Sequence, residues 1–332
     1  MNPDLFLADL LAKPEHLRAV AVALDADPWG AVVGASRSVL LLGMGSSHYA
    51  NLVVAARLRA AGVPAVAELA SSDLLPHLTD DTLVVAVSAS GGSIETLDAV
   101  RRLRAQGGAA RFVALTNRAG TELADLCDLR VDVHAGDELG GVACRSYQHT
   151  LLLLLALVER LTGVRLDAAG LARRAALASE RLIGTRDDWL VPVSTALLGP
   201  DGTHVVAPAR RIASAYQSAL MLREGPRRPA VGSETGDWSH VDVYLTKTTD
   251  YRLALLGGSR WEPQLLEWTA QRGSTVVAIG ADLSPGAAIV TVRYPGDEDD
   301  DLRLVAETLV VELVAAEAWL DRLFGGNGQS SG

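Results

Sequence analysis

Thr82-Leu83-Val84-Val85-Ala86-Val87-Ser88-Ala89-Ser90-Gly91-Gly92-Ser93 decides the fold. From Leu83 to Val87 every position is apolar, the pattern of a strand buried on both faces and therefore of a parallel sheet. Three serines and two glycines follow, and residues 93–106 then read as a helix. Ligands of open parallel sheets gather beyond the carboxyl ends of the strands. A helix starting there points unpaired N–H groups and the positive end of its dipole at the same place. The glycines admit a close backbone approach, three hydroxyls can donate to three oxygens of an anion, and Glu95 complements the dipole in the first turn. A plain capping turn needs only one or two such residues. A Walker-type nucleotide loop is disfavoured because its glycine-lysine pair is missing.

Outward from this stretch, an opening helix over residues 3–24 breaks at Pro14. Strands are predicted at residues 38–43, 63–68, 82–88, 111–116 and 129–133, with helices at 47–61, 93–106 and 147–161. After a helical connector (168–185) the order recurs, with strands at 204–207, 241–246, 252–256, 275–279 and 288–292. Helices are expected at 212–223, 265–271 and 302–323. The predicted fold class is α/β, with two tandem domains, each a five-stranded parallel, flavodoxin-like sheet flanked by helices. The expected division is a leading helix (1–25), a phosphate-binding domain (26–165), a helical connector (166–190), a catalytic domain (191–324) and a disordered Gly/Ser-rich tail (325–332).

Composition narrows the function. The 332 residues are 49% hydrophobic and 5% aromatic, enough for two cores and poor in the aromatics that sandwiches favour. A net charge of −10 argues against nucleic-acid partners, which require clustered basic side chains. Cys127 and Cys144 form neither a disulfide framework nor a metal-ligand spacing, and Cys127 reads as a small buried apolar residue. His204, His240 and Asp242 share no ligand spacing on one helix, so neither metal nor cofactor is expected. The N-terminus lacks the basic start of a signal peptide, and the longest apolar run (150–158) is too short to span a bilayer. The expectation is a cytoplasmic protein without membrane partners. Lysine occurs only at positions 13 and 247, so Schiff-base chemistry has at most two candidates.

A second turn repeats the logic. Gly43-Met44-Gly45-Ser46-Ser47-His48 follows the apolar run Val39-Leu40-Leu41-Leu42 and opens a helix. It matches a dinucleotide fingerprint only in part, because His48 replaces the third glycine. Ser46 and Ser47 could reach the ligand of the first turn from the neighbouring strand, and His48 reads as a surface residue at the helix start.

Together these turns and the repeated halves resemble the sugar isomerase (SIS) domain family. The closer likeness is to tandem members such as the isomerase half of glucosamine-6-phosphate synthase and related phosphosugar isomerases, deaminases and deglycases. Residues 11–18 resemble the family's "E-x-P-x-x-I/L" leading helix without its glutamate. Met44-Gly45-Ser46-Ser47 is similar to "C-G-T-S", residues 88–96 to "S-x-S-G-x-T-x-D-T", and residues 138–145 to "E-I-G-V-A-S-T-K". The resemblance implies that Ser47, Ser88, Ser90, Ser93 and the Ala89 backbone hold a phosphate. It places Gly45, Ser46 and the main chain of Val142 and Ala143 against the sugar.

In the second half Leu222-Arg223-Glu224 resembles "L-K-E", whose glutamate shuttles protons, and residues 236–240 stand where the family has "G-E-L-K-H". The separation of Glu224 from His240 is the family's own. The implied catalytic pair is Glu224, moving a proton between adjacent carbons, and His240, opening the ring; in the family that histidine crosses a dimer interface. There are departures: Met221 replaces the helix lysine, no terminal lysine follows Phe324, and "H-G-P" becomes His240-Val241-Asp242. Residues 255–260 lack a full serine turn, so the second half is expected to carry no second phosphate site. These departures, with a chain that starts at the leading helix, argue against glutamine-dependent synthesis. The expected activity is aldose–ketose isomerisation of a 6-phosphosugar, or deamination or deglycation of an aminosugar phosphate, in a homodimer. The lost lysine leans slightly towards the amino substrates. The alternatives are a non-catalytic phosphosugar sensor, disfavoured by the lack of a DNA-binding segment, and a nucleotide-binding α/β protein.

Overall fold

The structure, a computed structural model, describes residues 1–325 apart from positions 31, 33, 35, 284 and 285. The expected tail lies, from residue 326, outside the described residues. Contacts divide the chain into two compact units that interleave in sequence. One unit comprises Glu15–Asp137 and Arg145–Arg173; the other comprises Met1–Pro14, Glu138–Cys144 and Arg174–Gly332.

The chain opens with α1 (Pro3–Leu11) and α2 (Lys13–Asp25). Asn2 starts α1 by accepting the Leu5 N–H at 3.1 Å. The break falls at Ala12, and Pro14, which has no N–H to leave unpaired, sits in the first turn of α2.

The unit that begins at Glu15 continues through β1 (Ser38–Gly43), α3 (Gly45–Ala60), β2 (Ala65–Leu69), β3 (Thr82–Val87), α4 (Ile94–Arg104), β4 (Arg111–Thr116), α5 (Glu122–Leu126), β5 (Leu129–Asp132) and α6 (Arg145–Thr162). Its five strands are all parallel, in the order β2-β1-β3-β4-β5. Winding leaves β1 towards β2 and then returns to place β3 on the other side of β1. The gap between β1 and β3 is therefore the topological switch point. Leu42 pairs with Ala86, so these two strands end level. Leu40, Leu42, Val84, Ala86 and Phe112 pack against Leu97, Val100 and Leu103 of α4 and Leu123 of α5. On the α6 side, the Trp29 indole donates to the Leu153 carbonyl at 2.7 Å and is itself fully buried.

From α7 (Ala168–Gly184) the chain passes to α8 (Arg186–Leu197), β6 (Thr203–Ala207), α9 (Ile212–Glu224), β7 (Ala230–Glu234), α10 (Thr235–Trp238), β8 (Arg252–Leu256), α11 (Glu262–Gln271), β9 (Thr275–Ile279), β10 (Val290–Val292), α12 (Asp300–Ala306) and α13 (Thr308–Gly325). This second sheet is also parallel, in the order β10-β9-β8-β6-β7, and repeats the winding of the first. The α/β class with two five-stranded parallel sheets holds.

Residues 241–246 correct the reading. They form a 3-10 turn (Asp242–Lys247), and the strand beside β6 is β7. The Val-x-Val-x-Leu alternation imitates a strand, whereas Ala230-Val-Gly-Ser-Glu has few β formers. Gly232 is needed there because a methyl group would come within 2.8 Å of the Ala215 backbone on α9. The helix expected over 302–323 is two helices parted at Glu307, and α8 extends the helical connector beyond its expected end. The apolar runs of α6 and α13 are buried within the chain, with Leu151 through Leu155 and Leu309 through Val311 inaccessible.

Candidate functional site

The two serine turns meet the switch point of the first sheet. Ser88 is nearly buried, and its N–H continues the ladder to the Leu115 carbonyl at 3.1 Å. The Gly91 N–H donates to the Ser88 carbonyl at 3.0 Å and closes the turn. The Ala89 carbonyl is held inward by the Asn117 N–H at 3.1 Å and the Thr116 hydroxyl at 3.3 Å. In a trans peptide the following N–H points the opposite way, so the Ser90 amide faces out of the turn. Gly91 sits at φ +65°, and a Cβ there would come within 2.4 Å of the Thr121 hydroxyl.

The hydroxyls of this turn are not equivalent. Ser90 Oγ accepts the Gly92 N–H at 3.3 Å and keeps its proton to donate. Ser93 caps α4 by accepting the Thr96 N–H at 3.4 Å and spends its proton on Glu95 at 2.9 Å. The Glu95 carboxyl is held below its ordinary pKa by its own backbone N–H and then by Ser93. An exposed carboxylate thus already rests on the helix start, and a phosphate that takes the Ser93 proton must displace it.

The Gly43–His48 turn stands beside it. Among the described residues no side chain caps α3, so the dipole end is left to the backbone amides of Gly45 and Ser46. Gly45 sits at φ +49°. A methyl group at Gly43 would meet Ser47 Cβ at 2.9 Å and the Asn51 side chain at 3.0 Å, so glycine lets α3 approach the strand end. His48, expected at the surface, is half-buried, and burial holds its pKa below the ordinary value against the pull of Glu68.

The other unit holds the remaining candidates. Glu224 ends α9 half-buried; burial raises its pKa, Arg227 opposes the shift and Glu138 adds to it. Residues 138–144 are pinned on several sides. The Gly140 N–H donates to Asp9 at 2.7 Å, the Cys144 N–H to Glu138 at 2.7 Å, and Gln217 Nε2 to the Ala143 carbonyl at 2.9 Å. The Ala143–Cys144 peptide is thus paired on both sides. Val142 itself is a core side chain. His240 is exposed on the turn after α10, its N–H on the Asp237 carbonyl at 2.8 Å. The buried Trp238 anchors that turn by donating to the Tyr251 hydroxyl at 2.7 Å.

Sequence reasoning missed Gln217 and Asn51. Gln217 lies two turns before Glu224 on one face of α9, a spacing that could have identified it. The corresponding switch point of the second sheet is filled from within. Arg211 is fully buried and joins Glu307, Asp300 and the Gly257 carbonyl. The Gly258 N–H is taken by Glu262 at 2.6 Å, and Arg210 donates to the Gly258 carbonyl at 2.9 Å. Neither cysteine is set for chemistry: burial pushes the Cys127 thiol up to about 12 and Cys144 well above its ordinary value.

A doubly wound sheet with hydroxyl-rich turns at its switch point defines a class, and residues 35–160 match the model of the SIS domain; the chain carries a SIS domain over this stretch. It is 28% identical over 306 residues to the isomerizing glutamine–fructose-6-phosphate aminotransferase of Aeropyrum pernix, covering 85% of this chain and 48% of that protein. The chain therefore spans about half the length of that relative. The fold is shared with tagatose-6-phosphate ketose/aldose isomerase from Escherichia coli, with TM-score 0.78, 15% identity, and 96% and 93% of the two chains covered. It is shared also with glucosamine-6-phosphate deaminase from Thermotoga maritima, with TM-score 0.73, 18% identity, and 96% and 95% covered. Among the described residues no helix is long and apolar enough to cross a membrane.

Proposed function

We propose that the chain is an enzyme that processes a 6-phosphosugar or an aminosugar phosphate by ring opening and proton transfer. The carrying observation is the pair of level turns at the switch point of the first sheet, which offers backbone amides and serine hydroxyls to one dianion. Ser47, Ser88, Ser90, Ser93 and the Ala89 backbone hold the phosphate; Gly45, Ser46, Val142 and Ala143 bound the sugar. His240 assists ring opening. The Glu224 carboxylate takes the proton from the carbon beside the carbonyl and returns it to the neighbouring carbon, completing an aldose–ketose exchange. With an amine on the sugar, the same proton transfer yields an imine, and water then adds to that carbon and releases ammonia, leaving the ketose. The isomerase and deaminase folds among the structural neighbours support both outcomes, and the fully buried Met221, in place of a lysine, favours the amino substrates. We place the protein in the cytoplasm as a homodimer.

The test is binding and turnover on a panel of hexose, pentose and aminosugar phosphates. Glu224→Gln should abolish turnover and preserve binding; unchanged turnover sinks the assignment, and binding without turnover in the parent protein identifies a sensor. Because the Glu224 pKa is raised, its base form appears later on the pH scale. The rising limb of kcat/KM should lie above the ordinary carboxylate range and vanish in Glu224→Gln. The native state also keeps this proton where the unfolded chain has lost it, so the Glu224 contribution to stability falls as pH rises through that window.

A further inference from the structure

Asn51 lies one turn beyond Ser47 on α3 and is fully inaccessible to solvent. Neither its Nδ2 nor its Oδ1 has a hydrogen-bond partner among the described residues. A buried amide left unpaired on both atoms is costly, and an apolar residue of similar size would fill the place without that cost. Its location is specific. Side chains on a helix lean towards its N-terminus, so Asn51 reaches back over the turn. Ser47 Cβ and Asn51 Nδ2 lie within 2.9 and 3.0 Å of one point, the position a methyl group on Gly43 would take. The glycine keeps that space clear for both side chains.

We infer that Asn51 is a positioning residue for the anion site: its amide donates to the Ser47 oxygen and so directs the Ser47 proton at the bound phosphate. A hydroxyl that accepts one hydrogen bond donates a stronger one, and the effect is largest when its acceptor is charged. The Ser47 oxygen lies within reach of the amide by rotation about the Ser47 side chain, and this pairing would satisfy the buried group. This inference rests on the phosphate reading of the two serine turns, which the experiment checks separately.

The experiment titrates inorganic phosphate, and then glucosamine 6-phosphate, into the intact protein and its variants by calorimetry, with the melting temperature of each unliganded variant as control. Asn51→Ala should weaken phosphate binding about tenfold, equivalent to ~1.4 kcal/mol, with no matching fall in melting temperature. The double variant with Ser47→Ala should bind no more weakly than Ser47→Ala alone, because the amide acts through that hydroxyl. Asn51→Ser, which keeps a donor in a smaller side chain, should recover part of the loss. Unchanged affinity in Asn51→Ala overturns the inference, as does an additive double variant or a loss that tracks melting temperature across both substitutions. Ser88→Ala and Ser90→Ala separate the two readings. If they leave phosphate affinity intact, the anion site itself is misassigned; if they weaken it and the Asn51 variants do not, only the positioning role falls.

Discussion

Ser90 and Ser93 look alike in the sequence and differ in what their hydroxyls already do. Ser93 accepts the Thr96 N–H and donates to Glu95, whereas Ser90 accepts only the Gly92 N–H. Ser93→Ala should therefore lower stability by about 0.5–2 kcal/mol through the lost cap of α4, alongside any loss of phosphate affinity. Ser90→Ala should lower affinity with little change in melting temperature. Denaturant unfolding and calorimetry on the pair check this, and equal stabilities would show that the cap is not what Ser93 contributes. Glu95→Gln should strengthen phosphate binding, because it removes the resident negative charge from the helix start.

At the level of elements, the burial of Lys13 shows how context reassigns a residue. One of the two lysines is fully buried at the start of α2, paired with the equally buried Glu312 of α13. Lys13→Met strands a carboxylate in the core and should cost about 3–5 kcal/mol, while Lys13→Met with Glu312→Leu should recover much of it. Urea unfolding distinguishes the two, and an undamaged single variant would show the pair to be idle. Elements with strong local signals, such as β1, β3 and the start of α4, were legible because apolar runs and turn residues point the same way there. β7 was not legible. Its composition is poor for a strand, and it is one because β6 offers a free edge and α9 packs over Gly232. The opposite happened at Asp242–Lys247, where an alternating pattern has no neighbouring strand to pair with and settles into a 3-10 turn.

For the whole molecule, two sheets with one winding order carry two different switch points. The first presents uncapped amides and serine hydroxyls, and the second is closed by Arg211, Asp300, Glu307 and Glu262. One phosphate per chain is therefore expected by calorimetry. Hydrogen exchange should show protection by phosphate at residues 44–47 and 88–93 and none at 257–259; a second equivalent of phosphate would contradict the closed second site. The sequence by itself determined the α/β class, the tandem repeat and the strand-to-helix serine turn Ser88-Ala89-Ser90-Gly91-Gly92-Ser93, because apolar runs, glycines and capping residues act through neighbours a few positions away. Only the tertiary structure decided that the two turns end level at one switch point, that Ser93 is already engaged, that Asn51 is buried with no hydrogen-bond partner among the described residues, and that the second sheet fills its own site. Those properties depend on strand order, register and burial, which arise from residues distant in the chain and leave no local pattern to read.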